Sequence, residues 1–366
     1  MEGAEAYWMV KAIDQARRVV LDAIAARVFP AAVVNVGSSG AELWHEALGA
    51  LTFAPEAVLA SGTTPFDLAS LTKVVATTTV VMDLIEAGAL DLDEPLTGCF
   101  PEWRGPDREA VSVRDLLEHS GGLPPRLLDP PPATRREFEH EICTMPLEYE
   151  PRVRALYSDL GFILLGMLAA DRAGQSLAAA FDAVRDRLAS TDTAMRSVSF
   201  RLTGPMKRHA APTMPQDEDV RRGRVLIGDV HDSYAAALGG VAGHAGLFGT
   251  AAGVAGFARA VLRAARGDTG VPHPFSPSRV RQFVTRSSVP GSSRALGWDT
   301  MLPSSSCGTR MSAAAFGHVG FTGTSLWIDP QRDRYFVLLT NRACGGGTVE
   351  QMRGVRRAFH DALHDL

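Results

Sequence analysis

Residues 65–90 read PFDLASLTKVVATTTVVMDLIEAGAL, and the order of residue types in this stretch sets the reading of the whole chain. The run from Val74 to Ala87 has the apolar pattern of a buried helix and stops at Gly88, while Pro65-Phe66-Asp67 reads as extended chain or turn. Ser70 therefore falls near a helix N-terminus, and Lys73, three residues on, shares its helix face. The lysine amine can reach the serine hydroxyl, and a desolvated lysine of lowered pKa can take its proton. The unpaired amides of the first helical turn can stabilise an oxyanion at the same place. With 3 lysines and 23 serines in 366 residues, about 0.2 Ser-x-x-Lys matches arise by chance. Taken alone, the pair also reads as a helix N-cap and a surface lysine.

Upstream, residues 4–27 form an amphipathic helical pattern, followed by the apolar run Ala31 to Val36, a Gly-Ser-Ser-Gly turn at 37–40 and a second run, Ala41 to Leu48. This predicts a helix and then a β-hairpin. The far end mirrors it: Thr324 to Ile328 and Tyr335 to Thr340 are β-rich, and a helix is expected from about Val349 to Leu366. Between the ends helical patterns dominate, clearest at Val113 to His119, Leu160 to Arg172, Leu177 to Leu188 and Val254 to Arg266. The predicted fold is α/β (α+β), an antiparallel sheet flanked by the terminal helices. The sheet region would comprise residues 1–80 and 281–366, with residues 81–280 a mostly helical insertion and the site in the cleft between them. The Pro-rich loop Leu123 to Pro132 and the charged stretch Gly204 to Arg224 could border that cleft or be plain solvated connections.

Two further segments could carry chemistry. Tyr157-Ser158-Asp159 runs directly into the apolar helix beginning at Leu160. A tyrosine at such a junction can face a cleft, and near the Lys73 cation it can serve as a second proton carrier; alone it reads equally as an interface aromatic, with Asp159 as a helix cap. Phe316-Gly317-His318-Val319-Gly320-Phe321-Thr322-Gly323-Thr324 places glycines in a strand pattern, the mark of close backbone approach to a ligand or a packed helix. There His318 could donate to a substrate carboxylate or to Tyr157, and the Phe321 amide could complete an oxyanion hole.

In this order and spacing, Ser-Leu-Thr-Lys, Tyr-Ser-Asp and His-Val-Gly-Phe-Thr-Gly resemble the three motifs of the serine β-lactamase and penicillin-binding-protein superfamily. The similar branch holds class C β-lactamases, DD-peptidases and β-lactamase-like carboxylesterases. Val111 to Pro124 looks like the family's segment entering the helical region, and Val230 to Phe248 resembles a stretch found in a subset of these hydrolases. The resemblance implies Ser70 as acylated nucleophile, Lys73 as its activating base and Tyr157 as the proton shuttle. It also implies Ser70 and Phe321 amides at the oxyanion, Asp159, His318 and Gly320 at the substrate, and Ser158 as a bystander. Two departures stand out: Asp159 occupies the place of a common Asn, and His318-Val319-Gly320 that of Lys-Thr-Gly. Neutral His is a poorer anion partner than Lys, and Val319 offers no donor, so β-lactam recognition is weakened. Hydrolysis of small-molecule carboxylic esters or small amides is therefore expected first. A β-lactamase, a peptidase acting on D-amino-acid or cell-wall peptides, and a non-catalytic binding module are the alternatives.

Composition bounds these readings. Hydrophobic residues make up 46%, charged residues 21%, and mean hydropathy is +0.01, which fits a globular protein and excludes a disordered or fibrous one. The net charge of −4, without a block of like charge, argues against nucleic acid or an anionic membrane as partner. The longest apolar stretch, Leu160 to Ala170, falls short of the roughly 20 residues of a spanning helix. Glu2 and Glu5 stand where a secretory signal would want positive charge and Met1 suggests a native start, so a cytoplasmic setting is expected. The four cysteines, Cys99, Cys143, Cys307 and Cys344, are then expected as free thiols. Neither a phosphate loop nor Gly-x-Ser-x-Gly occurs, His119, His231, Asp232 and His244 match no ligand spacing, and no metal or organic cofactor is expected. Those four residues are expected to be structural, with Asp232 or His231 tying a loop to the interface. The oligomeric state is not legible.

Overall fold

The first hairpin forms as its residues dictate. Strand β1 (Ala31–Gly37) is buried throughout and its partner β2 (Glu42–Gly49) is half-exposed, which matches the apolar run of one and the polar alternation of the other. The computed structural model describes residues 2–127 and 130–366, with side chains from residue 7 onward. Leu128 and Asp129 of the Pro-rich loop, and Met1, lie outside the described residues.

Two short strands, β3 (Phe66–Asp67) and β4 (Phe248–Gly249), pair with each other apart from the main sheet. The C-terminal half supplies β5 (Asp299–Thr300), β6 (Phe316–Val319), β7 (Ser325–Asp329) and β8 (Arg334–Thr340). The main sheet is fully antiparallel in the order β2-β1-β8-β7-β6-β5. Within it β1 pairs with β8, Ala32 facing Thr340, so the two chain ends build one sheet.

Each sheet face is covered because alternate strand residues are apolar on both sides. On one face the helices Glu2–Ala25 and Val349–Ala362 pack through Ala16, Val20, Met352 and Phe359 onto Val34, Trp327, Phe336 and Leu338. On the other, helix Ala251–Ala265 packs through residues such as Val254, Phe257 and Val261 against β1, β7 and β8. That second core runs on into the helices around Ser70: wide π-helical turns Lys73–Thr78, helix Thr79–Glu86, and helices Asp159–Ala173 and Leu177–Leu188.

The predicted strands and helices are present with ends displaced by a few residues. One placement differs: helix Ala251–Ala265 falls inside the stretch 81–280 expected as the insertion, yet it lies on the sheet. Its apolar stripe, with Val254, Phe257, Ala258 and Val261 buried, finds its partner there. The charged stretch 204–224 holds a short helix, Gly204–Arg208. No helix among the described residues is long and apolar enough to cross a membrane, and the four cysteines form no disulfide.

Candidate active site

The chain reaches Ser70 through a tight, clamped turn. Asp67 accepts the Ala69 amide at 2.8 Å and the His231 amide at 2.6 Å, and Ala69 takes a left-handed φ of +47°. Two hydroxyls from the β6–β7 turn pin the same backbone: Thr322 Oγ1 donates to Asp67 O at 2.7 Å and Thr324 Oγ1 to Leu68 O at 3.0 Å. A left-handed alanine costs about 1 kcal/mol or more, and these bonds hold it. Burial drives the Asp67 carboxyl up to about 6 despite its two amide donors.

Lys73 is wholly buried at the first wide turn of the helix, and its Nζ meets three acceptors: Ser70 Oγ at 3.1 Å, Asp159 Oδ1 at 2.7 Å and the His244 carbonyl at 3.2 Å. The Tyr157 ring centroid lies 4.8 Å away. Burial pulls the Lys73 pKa down, but the charge and hydrogen bonds of Asp159 and Tyr157 outweigh it and leave the pKa above its ordinary value. At neutral pH Lys73 is an ammonium that donates to Ser70 Oγ.

Sequence reasoning sent Asp159 to the substrate or to a helix cap. In the structure it is the first residue of helix Asp159–Ala173, with Ser158 at the N-cap position, and its carboxylate is engaged by Lys73 and, at 3.2 Å, by Arg126. Ser158 anchors the junction, donating to Pro124 O at 2.6 Å through its hydroxyl and to His119 Nδ1 at 3.1 Å through its amide. The His119 ring packs at a tilt against Tyr157, ring centroids 4.7 Å apart, and so helps to seat that segment.

A cavity of about 280 Å³ opens over Ser70, lined by Tyr157, Arg294, His318, Val319, Gly320 and Phe321 among others. The expectation that His318 donates to a substrate carboxylate is corrected here. Burial, with Arg294 and Lys73 nearby, holds its pKa well below the ordinary histidine value, so the ring is neutral. Its Nδ1 lies 2.9 Å from Val319 O, and a carbonyl can only accept, so the proton sits on Nδ1. The buried Nε2 has no hydrogen-bond partner and presents a lone pair. The Tyr157 and His318 ring centroids are 5.8 Å apart.

Gly320 has both backbone groups occupied: its amide donates to Thr324 O at 2.8 Å, and its carbonyl accepts from Arg356 at 2.7 Å. A Cβ there would meet Thr324 Oγ1 at 2.1 Å and Leu68 O at 2.6 Å, so this glycine lets the β6–β7 turn pass against the turn before Ser70. The Phe321 carbonyl is held by the Arg342 guanidinium, while the residue as a whole, 45% exposed, lines the cavity. The amides of Ser70 and Phe321 donate to no protein acceptor among the described residues.

Sequence reasoning missed several residues at this site. Arg294, Arg342 and Arg356 all line the cavity, and none has a carboxylate partner among the described residues; Arg356 is buried and its pKa is pushed down to about 9. Asp299 is the one carboxylate on the lining. Arg126 and the His244 carbonyl were likewise missed. Asp232, which was read as structural, bonds Arg126 and His244, and His231 ties its amide to Asp67. Ligand atoms of Asp159, Asp232 and His244 come within 4.8 Å of one another, but Lys73 and Arg126 already bind the two carboxylates.

A sheet built from both chain ends, with the Ser70 turn and its buried lysine lodged between that sheet and a group of helices, is the fold of β-lactamases and transpeptidases. The chain belongs to the Beta-lactamase family, whose model matches residues 16–359. It is 30% identical over 315 residues to an Escherichia coli K12 protein named "Putative D-alanyl-D-alanine carboxypeptidase", covering 78% of this chain and 70% of the relative. Among solved structures it superposes on EstCE1, a hydrolase with promiscuous acyltransferase activity (TM-score 0.75, 19% identity, 97% of this chain and 99% of that one). It also superposes on a class C β-lactamase from Rhodobacter sphaeroides (TM-score 0.73, 20% identity, 95% and 98%).

Proposed function

We propose that the protein is a serine hydrolase that works through an acyl-enzyme on Ser70 and turns over carboxylic esters or small amides. The observation that carries this reading is the buried Lys73 amine 3.1 Å from the hydroxyl of Ser70, which lines an open cavity. Ser70 Oγ attacks the substrate carbonyl, and its proton passes to the Lys73/Tyr157 pair once that pair has lost one of its own. The same pair returns a proton to the leaving group as the acyl bond breaks. The Ser70 and Phe321 amides receive the developing oxyanion. Water, deprotonated by the pair, then attacks the acyl-enzyme, releases the acid and restores the serine.

A second reading is favoured by the three guanidinium groups that line the cavity without carboxylate partners. They suit a substrate carrying a carboxylate, as a peptide C-terminus does, and the 30% identical relative bears a carboxypeptidase name.

The test is turnover of a short-chain p-nitrophenyl ester beside a chromogenic cephalosporin and an acyl-D-alanyl-D-alanine peptide. Ser70→Ala is expected to abolish every reaction that occurs, and Lys73→Ala and Tyr157→Phe to lower it by roughly 10² to 10⁴. Ester turnover ahead of the other two supports the first reading, and peptide turnover ahead supports the second. Near-normal rates in all three variants would overturn the site assignment.

A further inference from the structure

The Lys73 ammonium belongs to a closed ring of five residues drawn from five segments. Lys73 Nζ donates to Asp159 Oδ1 at 2.7 Å. Asp159 Oδ2 accepts from Arg126 at 3.2 Å, and the same Arg126 nitrogen donates to Asp232 Oδ2 at 2.9 Å. His244 Nε2 stands 2.7 Å from Asp232 Oδ1, and the His244 carbonyl accepts from Lys73 at 3.2 Å, which closes the circuit. Two cations thus face two carboxylates. Burial pushes both carboxyl groups upward, but their partners outweigh it, so Asp159 lies below and Asp232 well below the ordinary carboxylate value.

We propose that Arg126, Asp232 and His244 are positioning residues of the reaction: by closing this ring they hold Asp159, and through it the Lys73 ammonium, against Ser70. The proposal rests on the acyl-enzyme reading and adds to it the groups that set the base. None of the three side chains touches Ser70 or Lys73; Arg126 and Asp232 act through Asp159, and His244 orients Asp232 while lending its carbonyl. Arg126 shares its charge between two carboxylates. Removing Asp232 gives that whole charge to Asp159, which then holds the Lys73 proton less firmly.

The other ionisable groups around Lys73 are Tyr157, His119 and His318, with Arg294 beyond the Tyr157 ring at 5.0 Å. Burial keeps the His119 and His318 rings neutral, so neither competes for the proton.

The discriminating variants are Asp232→Asn and Asp159→Asn, singly and together, read by kcat, KM and the pH profile of ester hydrolysis. Asp232 also caps helix Ser233–Ala237 by accepting the Ala235 amide at 2.8 Å, and asparagine keeps that cap. Asp232→Asn is expected to lower kcat about tenfold with KM within about threefold. The rising limb of the profile moves to lower pH, because a lysine less firmly held deprotonates sooner. Asp159→Asn moves the limb further in the same direction, and the double variant moves it little beyond Asp159→Asn alone, since Asp232 reaches the Lys73 amine mainly through Asp159 and only at one remove through the His244 carbonyl.

Arg126→Lys gives an independent reading, because the ammonium keeps the charge but loses the bond from the second guanidinium nitrogen to Ser233 Oγ at 3.3 Å, which fixes the first between the two carboxylates; it too should lower kcat and move the limb. Unchanged kcat and pH limb in the folded Asp232→Asn and Arg126→Lys proteins would overturn the proposal, as would effects of Asp232 and Asp159 that simply add. In either case Ser70 would still be acylated by substrate. Absence of acylation in the wild type would instead sink the acyl-enzyme reading, and this proposal with it.

Discussion

At the residue scale the site depends on how little room surrounds the Ser70 turn. Gly320 has Leu68 O where its Cβ would be, at 2.6 Å, and that carbonyl belongs to backbone that cannot move without shifting Ser70. Gly320→Ala should therefore lower kcat by more than about tenfold while costing about 1 to 3 kcal/mol of stability, the range for overpacking. Enzyme assays and urea melts on one preparation check this; normal kcat would show that the turn can give. That Lys73 reaches Ser70 was legible from their spacing of three, and that Tyr157 stands beside Lys73 from its place just before an apolar helix. The left-handed φ of Ala69 was not: its cause lies in hydroxyls of Thr322 and Thr324, more than 250 positions away in the chain. The proton on His318 was equally hidden, because it is set by burial and by one backbone carbonyl.

At the scale of elements, the glycine-rich segment 239–249 is the piece whose purpose only the fold reveals. It pairs β4 with β3, donates the Leu247 amide to Thr72 Oγ1 at 3.1 Å and accepts from Thr77 Oγ1 at Gly243 O, 2.7 Å away. These bonds strap it along the helix that carries Lys73 and bring the His244 carbonyl to the amine. Gly243 packs directly on helix Asp159–Ala173, where a Cβ would meet Phe162 O at 1.9 Å and Gly166 N at 2.8 Å. Gly243→Ala should destabilise the protein by about 3 kcal/mol and lower kcat as the His244 carbonyl moves off Lys73; unchanged urea midpoint and kcat would contradict this strap. From sequence the segment could be recognised as neither a phosphate loop nor a ligand run. Its true partners, Thr72, Thr77 and Lys73, lie about 170 positions upstream, and long-range pairing leaves no local periodicity. Helix Ala251–Ala265 was hidden in the same way: its apolar stripe announced a helix but not that the sheet was what it covers.

For the whole molecule, buried ionisable groups predict how stability responds to pH. Burial holds His119 and His318 well below the ordinary histidine value, His231 at about 4 and His360 at about 3. The unfolded chain takes up these protons near pH 6.5 and the folded one cannot, so their contribution is present above that pH and is lost as pH falls toward the folded values. Asp67 works the other way. Its folded value of about 6 exceeds the ordinary 3.8, so between those values the folded state holds the extra proton, and stability from this group falls as pH rises. Glu118 and Asp182, also raised by burial, act in the same sense as Asp67, but the four histidines outnumber these acids and leave a net loss on acidification, each unmatched proton worth about 1.4 kcal/mol per pH unit. The urea midpoint should drop steadily from pH 7 to pH 5. His360→Leu, on the C-terminal helix, should flatten that slope by about one proton; a midpoint flat over this range would contradict the burial of these rings. The antiparallel sheet of both termini was legible from the two chain ends, since hairpin and helix patterns are local. How the middle of the chain folds back on that sheet was not.

The central claim is that Ser70 becomes acylated. Intact-protein mass spectrometry of the enzyme quenched in acid during turnover of a p-nitrophenyl ester tests it most directly, with peptide mapping to locate the adduct. One acyl group per chain, on the peptide that carries Ser70 and absent from Ser70→Ala, is the predicted result. An unmodified wild-type chain during steady turnover, or an adduct that persists in Ser70→Ala, would contradict it.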